Sequence, residues 1–251
     1  MAQTHTGDLG QPGTLTWLGH ASVLAVSAAG TRIMFDPWLE NPRSPRGVDE
    51  VGPLDAIAVT HGHGDHIGSV VPLARATGAT IVCVPEMAAY FASQGLDRLV
   101  EMNKGGTVSV ADVRLTMVGA DHSCGVANGE GQPTIYGGNP VGFIVRAGQG
   151  DESFYVSGDT NVFSDMAIIR ELYAPELALM PIDGYYNMGP REAAYAVTLL
   201  GVRRFAPYHY GTFPMLAGTP AAVADALRAR GSSASVVPME PGDAIALSGG
   251  A

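Results

Sequence analysis

The sequence predicts an α/β fold in two similar halves, and three observations support that reading. Short apolar runs of strand length alternate with helix-length segments along most of the chain. The pattern opens β-rich and passes into strand–helix alternation, once over roughly 14–125 and again over roughly 140–247. Several apolar runs end on a histidine or an aspartate, as strands do when they deliver side chains to a site at their carboxyl ends. No linker separates the halves, so the 251 residues are expected to form a single domain, 1–251, with two sheets face to face and helices outside.

Residues 1–12 are polar and read as a loose end. Leu15–Leu18, Ser22–Val26 and Thr31–Pro37 read as strands, with Gly19-His20 between the first two and Pro37 stopping the third. Glu40 to Val51 is rich in Pro, Arg and Gly and reads as a loop, a flap over a site. Leu54–Thr60 is a buried strand, and Ile67–Gly78 a helix closed by its glycine. Thr80–Pro85 is a strand, Glu86–Gln94 a helix, and Asn103-Lys104-Gly105-Gly106 a turn. Strands at Thr107–Val110 and Val113–Val118 precede Asp121-His122, and a Gly- and Pro-rich loop fills 125–140. Strands follow at Val141–Val145, Ser153–Ser157, Leu177–Ile182 and Arg203–Tyr208, with helices at Met166–Tyr173, Pro190–Leu200 and Pro220–Arg230. The last strands lie within Ser235–Leu247.

Composition excludes several functions. The chain is 46% hydrophobic and 15% charged, enough apolar residue for a substantial core and too much for disorder. A net charge of −10 with no basic run argues against nucleic acid and against an anionic membrane surface. No apolar run approaches the ~20 residues of a membrane helix. The polar start of the chain lacks a signal-peptide pattern, and Cys83 and Cys124 do not make a disulfide scaffold. A cytoplasmic enzyme acting on a small molecule is the expectation.

One stretch dominates the chemistry. Thr60-His61-Gly62-His63-Gly64-Asp65-His66 holds three of the seven histidines and an aspartate. Imidazole and carboxylate suit zinc, manganese and iron. No single regular face aims all four side chains at one point, so a loop is expected, with Gly62 and Gly64 letting it bend. Further strand ends offer His122, Asp159 and His209.

The H-x-H-x-D-H stretch and the later strand ends resemble the metallo-β-lactamase superfamily over roughly Leu15 to Leu247. Trp17-Leu18-Gly19-His20, Asn103-Lys104-Gly105-Gly106, Ser157-Gly158-Asp159-Thr160 and Pro207-Tyr208-His209-Tyr210-Gly211 are similar to its bacterial "metal-dependent hydrolase" branch, near the ascorbate-6-phosphate lactonase group. The resemblance implies a four-layer αββα sandwich. It implies two divalent ions, Zn²⁺ first and Mn²⁺ or Fe²⁺ as alternatives. His61, His63 and His122 would hold one, Asp65, His66 and His209 the other, and Asp159 would bridge them. Di-iron oxygen-reducing relatives carry Glu where this chain has His63, which favours hydrolysis over redox or sensing. Cys124 is expected to be structural. The lactonase group assembles into oligomers, so the resemblance allows a homo-oligomer.

Two such ions would generate a bridging hydroxide near neutral pH, which attacks a carbonyl carbon or a phosphorus. Asp65 is the candidate to orient that nucleophile and shuttle its proton, and His20 the candidate donor to substrate. Asp36 is placed to hold the free N–H of a ligating histidine. Asn103, Lys104, Asp183, Tyr185, Tyr186, Asn187 and Tyr210 lie beside the ligand loops and are the candidate substrate pocket. A small ester or lactone is the leading substrate, ahead of a phosphodiester, a β-lactam or a thioester.

Overall fold

The computed structural model describes residues 9–148 and 152–247. Its elements follow the hydrophobic pattern closely. The chain enters through β1 (Thr14–Trp17), β2 (Val23–Val26) and β3 (Arg32–Phe35), then β4 (Ala56–Ala58). Helices α1 (Gly64–Ile67) and α2 (Val70–Thr77) lead to β5 (Thr80–Cys83), α3 (Pro85–Ser93) and β6 (Leu99–Glu101). Next come β7 (Thr107–Val110), β8 (Val113–Gly119), and a short hairpin of β9 (Gly125–Val126) and β10 (Ile135–Tyr136). The remainder is β11 (Val141–Arg146), β12 (Phe154–Val156), α4 (Met166–Tyr173), β13 (Leu177–Pro181), α5 (Pro190–Leu200), β14 (Arg204–Tyr208), α6 (Pro220–Ala229), β15 (Ser235–Val236) and β16 (Ala244–Ala246).

Two seven-stranded sheets result, ordered β16-β1-β2-β3-β4-β5-β6 and β15-β14-β13-β12-β11-β8-β7. Each is antiparallel in one half and parallel in the other: β3 to β6 run parallel in the first, β12 to β15 in the second. The inner strands of the parallel halves, such as β4 and β13, are buried on both faces and so read as continuous apolar runs rather than alternations. The sheets meet through aromatic packing, with Phe35 of the first 6.1 Å from Phe143 and 6.4 Å from Phe154 of the second. Helices cover the outer faces, as α5 does with Ala193, Ala194, Val197 and Leu200 turned inward. This is the αββα sandwich.

Five details differ from the sequence reading. The changeover between sheets falls between β6 and β7, well before 125–140, because β8 pairs with β11 along its length. The last strand, β16, returns to the first sheet beside β1. The 125–140 loop contains the β9–β10 hairpin, and β6 was not foreseen; strands of two or three residues are too short to show a period. The segment expected as a flap is pinned instead. Asn41 is buried and its amide donates to the Leu18 and Trp38 carbonyls, while the Arg43 guanidinium donates to the Tyr210 carbonyl and pairs with Glu240.

Strand direction decides where chemistry can occur. β1, β3 and β4 end on one edge of the first sheet, and β8, β12, β13 and β14 on the facing edge of the second. The two edges are tied together there. The Val141 N–H donates to the Thr60 carbonyl (3.0 Å), and the His209 N–H to the His20 carbonyl (2.9 Å). At Gly158, φ is +63° and a Cβ would sit 2.6 Å from Thr60 Cβ, so glycine is required where the sheets approach most closely. Among the described residues no helix is long and apolar enough to cross a membrane.

Candidate metal centre

Each candidate ligand leaves the carboxyl end of one of those strands. His61 and His63 follow β4, His122 follows β8, Asp159 follows β12 and His209 follows β14. Asp65 and His66 do not lie in a loop as expected. They sit in the single turn of α1, which projects both side chains from one short helical segment. Gly62 is needed for space rather than for bending: a Cβ there would fall 2.7 Å from Val126 Cγ2 and 2.9 Å from Met87 Sδ, whereas Gly64 faces nothing.

Among the described residues three groups of ligand atoms converge, one of them Asp36 with His61 and His66 behind the cluster, and the other two face the cleft. His61, His63 and His122 converge in one, and Asp65, His66 and His209 with His20 in the other. Asp159 stands between them. Its Oδ1 lies 3.3 Å from His66 Nε2, and its Oδ2 lies 3.3 Å from His209 Nε2 and 3.6 Å from His122 Nε2.

Tautomers follow from what stands behind the rings. Asp36 accepts from the Thr60 N–H (2.8 Å), the Thr60 hydroxyl (2.5 Å) and His66 Nδ1 (2.9 Å). The Thr60 hydroxyl has spent its proton on Asp36, so His61 Nδ1–H donates to Thr60 Oγ1 at 3.0 Å. Asp36 therefore places protons on the outward nitrogens of both His61 and His66 and leaves each Nε2 facing inward. Asp183 Oδ2 stands 3.1 Å behind His209 Nδ1 as an ion-pair contact.

These residues fit metal ions. His66 Nε2, Asp159 Oδ1 and His209 Nε2 are buried without a hydrogen-bond partner, which is costly unless something charged unites them. His61 Nε2 and His63 Nδ1 face each other at 2.9 Å, a distance at which two lone pairs repel unless a proton or cation separates them. Separations of 3 to 4 Å are those of atoms sharing one ion at about 2.0–2.2 Å each.

Charge differs between the groups. Burial, and the positive charge on neighbouring histidines, hold His61 and His63 below the ordinary imidazole range; burial likewise lowers His122. In the second group burial also pushes downward, but carboxylates win. Asp159 and Asp36 lift His66 well above its usual value, and Asp159 and Asp183 lift His209 to about 9. Burial raises the Asp65 carboxyl, yet the His20 hydrogen bond and the charge of His66 leave it below the usual range.

His20 has a different place from the one expected. It is buried, with Nε2 donating to Asp65 Oδ2 at 2.9 Å and Nδ1 3.0 Å from the Thr212 hydroxyl. Both nitrogens are taken, so in this geometry it braces Asp65. Its φ of +50° is one of five positive values at non-glycine residues among the described residues; Asp36 at +43° and His209 at +58° are two more. Three strained backbones at one site are held by the surrounding hydrogen bonds.

A cleft of about 620 Å³ opens over the cluster, with His63, Asp65, His122, Asp159 and His209 on its floor. Of the residues expected in the pocket only Tyr186 lines it. Tyr185 is exposed at the rim with its ring 4.8 Å from that of Tyr186. Asp183 and Asn187 lie behind: Asp183 Oδ1 accepts the Tyr185 and Tyr186 N–H groups, and its Oδ2 accepts from the Asn187 amide. Tyr210 is buried against Trp17 and donates to the Met239 carbonyl. Asn103 and Lys104 are exposed in the turn after β6 and do not line the cleft. Trp38, Ser123, Phe213 and Met215 do, and none of the four is in the expected set. Their signal was proximity: Trp38 stands two residues after Asp36, Ser123 follows His122, and Met215 closes the loop after His209. Cys124 Sγ bridges loops, accepting from the Gly62 N–H and donating to the Gly137 carbonyl.

A His/Asp cluster able to bind metal ions, set where two facing sheets present their strand ends, defines a metalloprotein of the αββα class. A family model described as "Beta-lactamase superfamily domain" matches residues 31–210. A "UPF0173 metal-dependent hydrolase" of Koribacter versatilis is 45% identical over 207 residues, covering 82% of this chain and 88% of that protein. One of the same name from Rubrobacter xylanophilus is 44% identical over 232 residues, covering 92% and 95%. A solved structure described as a novel metallo hydrolase, from the archaeon Ignicoccus hospitalis, is 31% identical with a TM-score of 0.80, covering 92% of this chain and 97% of that one. The chain belongs to the β-lactamase superfamily and, within it, to the family of UPF0173 metal-dependent hydrolases.

Proposed function

We propose that this protein is a dinuclear hydrolase that cleaves an uncharged ester or lactone bond in a small molecule. The observation that carries this reading is Asp159, whose two oxygens face both groups of inward histidine nitrogens at 3.3 to 3.6 Å. His61, His63 and His122 would hold one ion, Asp65, His66 and His209 the other, and Asp159 both, with Zn²⁺ the leading metal and Mn²⁺ or Fe²⁺ the alternatives. Ions so held supply Lewis acidity and an acidified water.

The chain's own groups do the rest. Asp65 is 35% exposed at the cleft floor, and its lowered pKa keeps it ionised, so it can orient an attacking water by accepting a hydrogen bond from it. His20 and Thr212 fix the carboxylate for that task. Asp36 and Asp183 hold the ligating rings so that each Nε2 stays directed inward. No lysine or arginine lines the cleft, which favours a neutral acyl bond over a phosphodiester, whose anion calls for cationic clamps.

The test is turnover by protein loaded with Zn²⁺ and separately with Mn²⁺, against lactones, aryl esters, a phosphodiester, a β-lactam and a thioester. Turnover of the lactones or esters, abolished by chelation and by Asp65→Ala/His66→Ala, is the expected result. Metal-dependent turnover confined to the phosphodiester, β-lactam or thioester would replace the bond type. No turnover of any member by protein holding two ions would count against hydrolysis.

A further inference from the structure

The cleft is divided in character, and the division points to a substrate class. One wall is apolar. Trp38 and Phe213 lie 6.2 Å apart and inclined by 32°, with Met215 and Tyr186 beside them. Phe213, Met215 and Tyr186 are 38%, 46% and 61% exposed, an apolar rim that water covers at a cost unless a ligand covers it instead. The wall is built rather than loose. The Trp38 N–H donates to Ser22 Oγ at 2.8 Å, and its ring lies so close to Gly68 that a Cβ there would fall 2.8 Å from Trp38 Cδ1. His20 packs edge-on beneath Trp38 at 5.1 Å.

A second hollow of about 530 Å³ shares His63 and Ser123 with the cleft. Gly64, Cys124, Gly125, Ala127 and Thr134 line it, small side chains without an aromatic ring or a charge. A bond held over the ligand cluster thus has an aromatic wall beside it in the cleft and small side chains in the adjoining hollow.

We infer that the site selects esters or lactones bearing one bulky, uncharged, apolar substituent, an alkyl chain or an aryl ring seated against Trp38, Phe213 and Met215, with the smaller part of the molecule directed toward Ser123 and Thr134. This inference rests on the hydrolase reading above and adds the substrate's shape and polarity. Hydrolysis itself is balanced by water: the acyl–oxygen bond breaks, the acyl carbon gains hydroxyl, and the proton goes to the leaving oxygen.

Two measurements on the Zn²⁺-loaded protein test it. The first is kcat/KM for γ-lactones whose side chain lengthens from methyl to hexyl. It should climb about twofold to fourfold per added methylene until the wall is covered. A Phe213→Ala/Met215→Ala double variant should flatten that climb. Both residues are partly exposed, and an unchanged melting temperature checks the variant's fold. The second is calorimetric binding of decanoate against acetate, which needs no turnover. Decanoate should bind at least about tenfold tighter, and the double variant should lose the difference. Lactone turnover with no dependence on chain length, and equal binding of the two carboxylates, would overturn the inference and leave the hydrolase reading standing. No turnover with tight, Phe213-dependent decanoate binding would support the apolar wall and count against the ester or lactone reading. A climb that the double variant leaves intact would overturn the assignment to this wall.

Discussion

The two histidine groups at the centre of this protein are held in opposite ways. His66 and His209 are buried, and a carboxylate stands behind each, Asp36 at 2.9 Å and Asp183 at 3.1 Å. His61 and His63 are backed by hydroxyls, Thr60 Oγ1 at 3.0 Å and Ser123 Oγ at 3.4 Å. His63 and His122 also reach the cleft floor. A carboxylate makes an imidazole more basic, while a hydroxyl only fixes its tautomer. Without metal, His61 and His63 are therefore held toward the neutral form, while His66 and His209 are held toward the protonated form and must give up protons before they can ligate. On the dinuclear reading proposed above, one cluster would combine a site ready to bind with one that must first release protons, joined through Asp159.

Removing the joint should have the largest effect. Asp159→Asn keeps the shape and loses the charge that faces both groups. Activity should fall by more than the ~10–100-fold typical of losing a residue behind a ligand, and metal content should fall with it. Near-normal kcat/KM with two ions bound would show that the groups act independently.

The backing residues come next and separate the groups directly. Asp183→Asn should weaken metal binding in the second group by about 10–100-fold. Ser123→Ala, which removes only a long contact to His63, should weaken the first by less than about tenfold. Equal losses would erase the distinction.

Proton competition gives a third comparison. Above neutral pH, affinity in the second group should rise by about tenfold per pH unit for each proton displaced, levelling as His209 passes about 9, while affinity in the first group stays nearly flat. Fold stability of the metal-free protein should move the other way. His209 has a folded value near 9 against an ordinary 6.5, so its contribution is complete below about pH 6.5 and is lost as pH climbs through 9. The melting temperature without metal should fall over that window, and with saturating Zn²⁺ the fall should be reversed by ligand linkage. Parallel curves for the two states would contradict the cationic assignment.

The smallest effect concerns Asp65. Its brace can be loosened by Thr212→Val, which removes the hydroxyl facing His20 Nδ1. A several-fold drop in kcat with KM and metal content unchanged is expected; a change in KM alone would place Thr212 in substrate contact instead.

What could be read beforehand follows from range. His61, His63, Asp65 and His66 declare themselves because four chemical residues are compressed into six positions, and His122, Asp159 and His209 because each ends an apolar run. The α/β alternation is legible for the same local reason. Residues acting through tertiary contact were not. Thr60 reads as a strand end, and only the fold turns its hydroxyl between Asp36 and His61. Asp183 sits beside two tyrosines and looks like pocket, whereas it closes its own loop and backs His209. His20 looks free in its Gly-His turn, and the pairing of that turn with residues 209–212 buries it. Trp38 gave no periodic signal, because its place in the wall depends on Gly68 making room across the fold.

On the dinuclear reading proposed above, one carboxylate would join a metal site ready to bind and one that must first release protons. Calorimetric titration of the metal-free protein with Zn²⁺ at pH 7 and pH 9 tests it most directly. Two binding steps are predicted, one nearly insensitive to pH and one markedly tighter at pH 9 with protons released on binding. A single equivalent bound, or two steps with the same pH dependence, would contradict it.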